Sequence, residues 1–327
     1  MKNKRGFFVI AALFLLFLIL FTASLKCGII PVSWKELLNI FSDTQDSLII
    51  RELRLARSLA AVIAGAASAF SGVILQKILH NDLAAPDILG ISSGSGVAGV
   101  VLLLLLPQWS NLLTFAAFAG ALIAALLIYL AAWQRNLSPG RLILAGVAVS
   151  TIFSTVSGTL FLFHAEKLFP VMEFTLGGFA GKSMDNIYSA LPVIIILLIS
   201  AVFLPRKLEL LSLGDEEAFS LGLSLSVNRI FALAIAALAG ALCTSLAGLL
   251  GFIGLMAPHI ARKLTQENHS RILLIAAPLT GSVLALAGDL AGRLLFAPRE
   301  LPAGLPVSLA GAVFFLLLLT QKTEMER

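Results

Sequence analysis

Side chains able to carry charge or ligate a metal are scarce in this sequence. Asp, Glu, Lys and Arg make up 13% of its 327 residues, against roughly a quarter in soluble domains. There are 4 histidines and 2 cysteines. Cys27 and Cys243 lie far apart with no ligand at metal spacing, which argues against both a disulfide framework and a metal site. Basic residues outnumber acidic ones 23 to 18, yet they stand singly or in pairs between apolar runs. No basic stripe is interleaved with aromatics, so nucleic acid is not the expected partner. A nucleotide loop is missing as well. Gly177-Gly178-Phe179-Ala180-Gly181-Lys182-Ser183 has the look of one, but the phosphate-binding loop needs a glycine where Leu176 stands, and no buried strand precedes it. Energy for any driven process would come from a partner or an ion gradient.

What is abundant is hydrocarbon: 59% of the residues are apolar. A spanning helix needs about 20 such residues, because a helix rises about 1.5 Å per residue and the hydrocarbon core is about 30 Å thick. Ten segments qualify or nearly so, at about 7–26, 55–78, 89–106, 112–133, 141–163, 188–204, 228–249, 255–264, 272–294 and 305–321. The eighth is short and reads as a partial helix. Lys2, Lys4 and Arg5 before Phe7 to Leu25 imitate a signal peptide. That apolar run exceeds the usual 7 to 15 residues, no small-x-small cleavage site follows, and Lys26 precedes Cys27 where a lipoprotein has a small residue. It reads as an uncleaved first span. The expected fold is all-α, one polytopic transmembrane domain over residues 1–327, in a lipid bilayer.

The positive-inside rule places both termini in the cytoplasm. Fourteen of the 23 basic residues then lie inside. Arg51, Arg54 and Arg57, with Arg293 and Arg299, form two outside clusters that break the rule and require a use. Asp289 is the main intramembrane carboxylate, with Arg293 one helical turn on; the two form either a neutralising structural pair or part of a proton relay. Ser150, Ser154 and Ser157 share a helical face with Thr151, Thr155 and Thr159 beside them. Their hydroxyls either bond back to the helix or line a wet pathway, as Ser92, Ser93 and Ser95 at the mouth of the third segment could. Ala64 to Gly72 and Ala239 to Gly251 echo each other as small-residue stretches, suited to close helix packing in lipid.

One motif is specific: Gly251-Phe252-Ile253-Gly254-Leu255-Met256-Ala257-Pro258-His259-Ile260-Ala261-Arg262. Others follow in fixed order along the chain: Leu53-Arg54-Leu55-Ala56-Arg57, Ser71-Gly72 with Gln76, Asn81-Asp82-Leu83-Ala84-Ala85-Pro86 with Leu89-Gly90, Leu144 to Val147, Leu213 to Ala218 with Leu221-Gly222, Gly288-Asp289 with Arg293, and Glu300 to Gly304. Together they resemble the FecCD-type permeases of bacterial ABC importers for iron-siderophores, haem and cobalamin. The chain departs from that pattern at Ala56 and Asp82, where proline is usual, at Phe174, near which tryptophan is usual, and at Val313, near which proline is usual.

The resemblance implies a permease without a catalytic site or cofactor, working as a dimer, most simply a homodimer. Its partners would be two cytoplasmic ABC ATPase subunits and an extracytoplasmic substrate-binding protein. Arg54, Arg57 and Arg293 would dock that protein. The short helix spanning Gly214, Asp215, Glu216, Glu217, Ala218, Leu221 and Gly222 would couple to the ATPase. Asn81, Pro86, Pro258, His259, Arg262 and Asp289 would be structural motif residues, His259 marking a short helix near the cytoplasm and not a metal ligand. The cargo would be a metal chelate: iron-siderophore, or haem, cobalamin or molybdate. An ion-coupled secondary transporter is the alternative, and an intramembrane enzyme the third reading.

Overall fold

The structure is a computed structural model that describes residues 2–28, 50–132 and 139–325; among them there is helix and no strand. Helix is what lipid demands, since each backbone N–H and C=O must be satisfied within its own segment. The helices are α1 (Lys2–Lys26), α2 (Ala56–Leu79), α3 (Ile91–Leu105), α4 (Leu113–Ala132), α5 (Pro139–Phe163) and α6 (Leu168–Leu176). Then come α7 (Met184–Leu211), α8 (Asp215–Ser220), α9 (Leu225–Ala247), α10 (Ile253–Thr265), α11 (Ser270–Leu294) and α12 (Gly304–Met325). Each of the ten expected segments falls on a helix. The seventeen residues expected at 188–204 are extended at both ends into α7, which carries Pro192 and Pro205 within it. Helix α6 has no counterpart among the expected segments, being too short and too broken by polar neighbours to register.

Among the described residues, seven helical stretches are long and apolar enough to cross a membrane. Helices α3 and α10 are not. Their 15 and 13 residues reach about 22 and 20 Å. Both begin inside the bundle. Beyond α2 the chain turns at His80, which has a φ of 48°, and residues 81–90 run back along it. A methyl group at Gly254, the second residue of α10, would meet Pro86 at 2.9 Å and the Ser68 carbonyl at 3.0 Å. Ser68 lies halfway along α2, so the starts of α3 and α10 meet at mid-bundle. There the Asp87 carboxylate accepts the Phe252 N–H at 3.4 Å, and the Pro86 carbonyl accepts the N–H groups of Ile91 and Ser92.

Helices α2 and α9 form the buried centre, with α10 and α11 against α2. Small residues permit this. A Cβ at Gly72 would stand 1.8 Å from the Gly254 carbonyl oxygen, and one at Gly65 2.3 Å from that of Gly281. Backbones in direct contact gain the dispersion energy that holds helices together in lipid, where burial of apolar area gives no advantage. The periphery is the reverse: Phe7, Phe8, Leu144, Leu198 and Val202 present large apolar side chains outward.

Candidate functional site

The first candidate lies where α1 and α11 end and α2 begins. Asp289 of α11 is 1% exposed and stands between two guanidinium groups, Arg57 Nη2 at 2.9 Å and Arg293 Nη2 at 2.9 Å. Arg57 also reaches Glu300 at 2.7 Å. Arg293 donates to the carbonyls of Ser24 at 3.1 Å and Cys27 at 3.0 Å and to Ser24 Oγ at 2.7 Å. Arg54 donates to the Leu25 and Lys26 carbonyls at 3.0 and 2.9 Å. Two arginine forks thus satisfy carbonyls that the last turn of α1 leaves without helical partners, where positive charge also suits the helix dipole.

Of the three arginines expected to dock a binding protein, two do not point outward. Arg54 and Arg293 are 9% and 4% exposed and are turned inward onto α1. Arg57 alone of the three lines a cavity, of about 350 Å³, together with Glu173, Phe179, Glu300 and Pro302. Arg51 is half-buried and pairs with its neighbour Glu52 at 3.2 Å.

At the opposite end of the bundle, α8 projects between α7 and α9. Gly214 and Gly222 bound it with φ values of 121° and 82°, a region that favours glycine. The Asp215 carboxylate accepts both Nη groups of Arg229, whose side chain is buried at the start of α9. Ala218 is buried beneath the helix, while Glu216 and Glu217 face outward. Phe219 is 74% exposed, and Leu213 and Leu221 stand out beside it. The short helix is thus clamped at its base and bears bare apolar side chains.

The serine face of α5 divides. Ser154 is exposed, and Ser150 and Ser157 are half-buried. The neighbouring Thr151, Thr155 and Thr159 hydroxyls bond back four residues, at 2.8 to 2.9 Å. Ser93 is half-buried and bonds the Gly90 carbonyl at 3.0 Å. Ser95 is fully buried and bonds the Ala117 carbonyl of α4 at 2.9 Å, so it joins α3 to α4 and faces no open path.

Asn81 Oδ1 accepts the Leu83 N–H at 2.9 Å, closing a turn. Pro258 sits inside α10, and His259 meets the Phe314 ring edge-on at 5.6 Å. Arg262 binds Asp82 at 3.0 Å and Gln76 Oε1 at 2.6 Å, so the aspartate that replaces the usual proline is ion-paired with the specific motif. Sequence reasoning missed three of these links: Arg57 to Asp289, Arg229 to Asp215, and Asp87 to Phe252. The first spans 232 residues, and no local spacing could announce it.

The profile of the FecCD transport family matches residues 15–321. The chain belongs to that family. Among FecCD relatives, the Bacillus subtilis iron(3+)-hydroxamate import system permease protein FhuG is 36% identical, over 97% of this chain and 98% of its own. The Escherichia coli Fe(3+) dicitrate transport system permease protein FecD is 35% identical, over 91% and 93%. A solved structure described as an inward-facing ABC transporter of metal-chelate type superposes with a TM-score of 0.85 at 28% identity, covering 96% of this chain and 99% of that one. The all-helical membrane architecture is therefore a FecCD permease fold.

Proposed function

We propose that the chain is the permease subunit of a binding-protein-dependent ABC importer that carries an iron chelate into the bacterial cytoplasm. The observation behind this reading is the family match along almost the whole chain, among relatives whose names specify ferric hydroxamate and ferric citrate. The Arg57 end faces outward and the α8 end inward, with both termini in the cytoplasm. Separate ATPase subunits hydrolyse ATP, receiving α8 through Phe219 and Leu221 while Arg229 holds its base. A second permease copy packs on the apolar outer faces of α5 and α12. Ser150, Ser154, Ser157 and Ser93 line the path between the copies. A substrate-binding protein docks over the Arg57 cavity, where Arg54 and Arg293 support the surface from beneath.

Proteoliposomes holding the permease, its ATPase and its binding protein test this directly. The expected result is uptake of a radiolabelled ferric hydroxamate or ferric citrate that requires ATP inside and the binding protein outside. Uptake driven by an ion gradient with no ATP overturns it in favour of a secondary carrier.

A further inference from the structure

At the α8 end, the last turn of α2, the 80–83 turn, α10 and α12 enclose a cavity of about 790 Å³. Its wall carries three fixed cations, Lys77, Arg262 and Lys263, and the imidazoles of His80 and His259. Among the described residues one carboxylate, Asp82, shares it and is paired with Arg262. Glu209 of α7, which also acts on Lys77, is engaged by the Ser270 N–H and Oγ at 2.9 and 2.7 Å and by His269 at 3.3 Å. Among the described residues that line the wall, basic side chains outnumber carboxylates.

A second observation concerns hydrogen bonding. Gln76, part of the same wall, is 3% exposed; its Oε1 is taken by Arg262, and its buried Nε2 has no partner among the described residues. Lys77 is 6% exposed, with its ammonium on the neutral Asn268 carbonyl at 2.7 Å. A buried donor without an acceptor is costly, and native proteins seldom leave one so. Among its described residues the wall thus offers more donors and cations than carboxylate acceptors, while Leu83, Phe315 and Leu318 make part of it apolar.

From this geometry we infer that the cavity is an oxyanion-binding site, taking a ligand whose phosphate or carboxylate oxygens face Lys77, Lys263 and the Gln76 amide and whose apolar part lies against Phe315 and Leu318. Two sources share this chemistry. One is the headgroup of an acidic phospholipid, for which basic pockets at the cytoplasmic ends of membrane helices are suited. The other is a negatively charged chelate leaving the pathway. The lipid source needs only that the chain spans a membrane; the chelate source rests on the proposed function.

Two arms separate them. Permease in nanodiscs of phosphatidylcholine is titrated with phosphatidylglycerol, read as retained lipid by native mass spectrometry, and separately with ferric citrate, read by quenching of a nearby fluorophore. Retention of phosphatidylglycerol identifies the lipid source, and saturable ferric citrate binding in phosphatidylcholine alone identifies the chelate. In either arm, Lys77→Gln and Lys263→Gln should each weaken binding about tenfold or more, with added salt weakening the wild type further. Lys207→Gln, whose ammonium lies over Phe231 outside the cavity, should bind as wild type does. Lys263 is exposed, so its variant tests the site even if Lys77→Gln folds poorly. Absence of binding in both arms, or binding unchanged in Lys263→Gln, overturns the assignment. Transport reconstitution does not enter either arm, so failure here is distinct from failure of the importer reading.

Discussion

Asp289→Asn should destabilise the protein more than any other single change at the Arg57 end. The substitution keeps the shape of the side chain and removes its charge. Arg293 would then be a guanidinium 4% exposed with only the neutral Ser24 and Cys27 groups around it, while Arg57 would keep Glu300. Removing one partner of a buried pair costs about 3–5 kcal/mol, because the other charge stays buried without compensation. The network lies at helix ends, within reach of water and headgroups, so the lower bound, about 3 kcal/mol, is the expected loss. Asp289→Asn with Arg293→Gln should recover part of that loss, giving a coupling of about 1–3 kcal/mol in a double-mutant cycle. Unfolding in mixed micelles titrated with a denaturing detergent measures both, with reactivity of the buried Cys243 thiol as the signal. A single variant within about 1 kcal/mol of wild type, or a double variant no more stable than the single, refutes the reasoning. The same logic bears on docking experiments. Charge reversal at Arg54 or Arg293 would abolish uptake by loosening α1, so Arg57 is the position at which a docking role can be read.

Asp215→Ala should leave insertion intact and lower ATPase stimulation, and Phe219→Ala should lower affinity for the ATPase subunit; unchanged stimulation in both, measured in nanodiscs, removes α8 from the coupling path. Cysteine at Ser154 should react with a water-soluble thiol reagent in the assembled transporter, and cysteine at Ser95 should not react until the protein unfolds. Labelling of Ser95→Cys in the native protein would contradict the α3–α4 contact. Gly72→Val should prevent stable folding, because its Cβ would stand 1.8 Å from the Gly254 carbonyl; a normal yield of monodisperse protein from that variant would show that the contact yields.

The helices were legible because lipid allows few alternatives. An apolar run of about 20 residues must be a helix, and its polar punctuation marks its ends. Half-helix α10 was legible as a short segment. That its start meets the start of α3 was not, because the depth of a segment is set by what it packs on, and Pro86 and Gly254 are far apart in sequence. The rule-breaking arginines were found from charge asymmetry, but that Arg54 and Arg293 turn inward onto α1 was not foreseen. Hydropathy places a residue along the membrane normal and says nothing of whether its side chain points out of the bundle or into it. Ser95 was misplaced for the same reason. A serine at the mouth of a helix looks alike whether it faces a path or a neighbouring carbonyl.

The glycine contacts of α2 have a mechanical consequence. Where helices meet through long side chains, they can slide by changing rotamers at little cost. Where Gly72 lies on Gly254 and Gly65 on Gly281, backbone meets backbone, and an axial shift of one residue would drive a carbonyl oxygen into a Cα. Helices α2, α10 and α11 are therefore held in register by direct backbone contact. Contacts made through leucine and phenylalanine side chains can give by rotamer change, and these backbone contacts cannot.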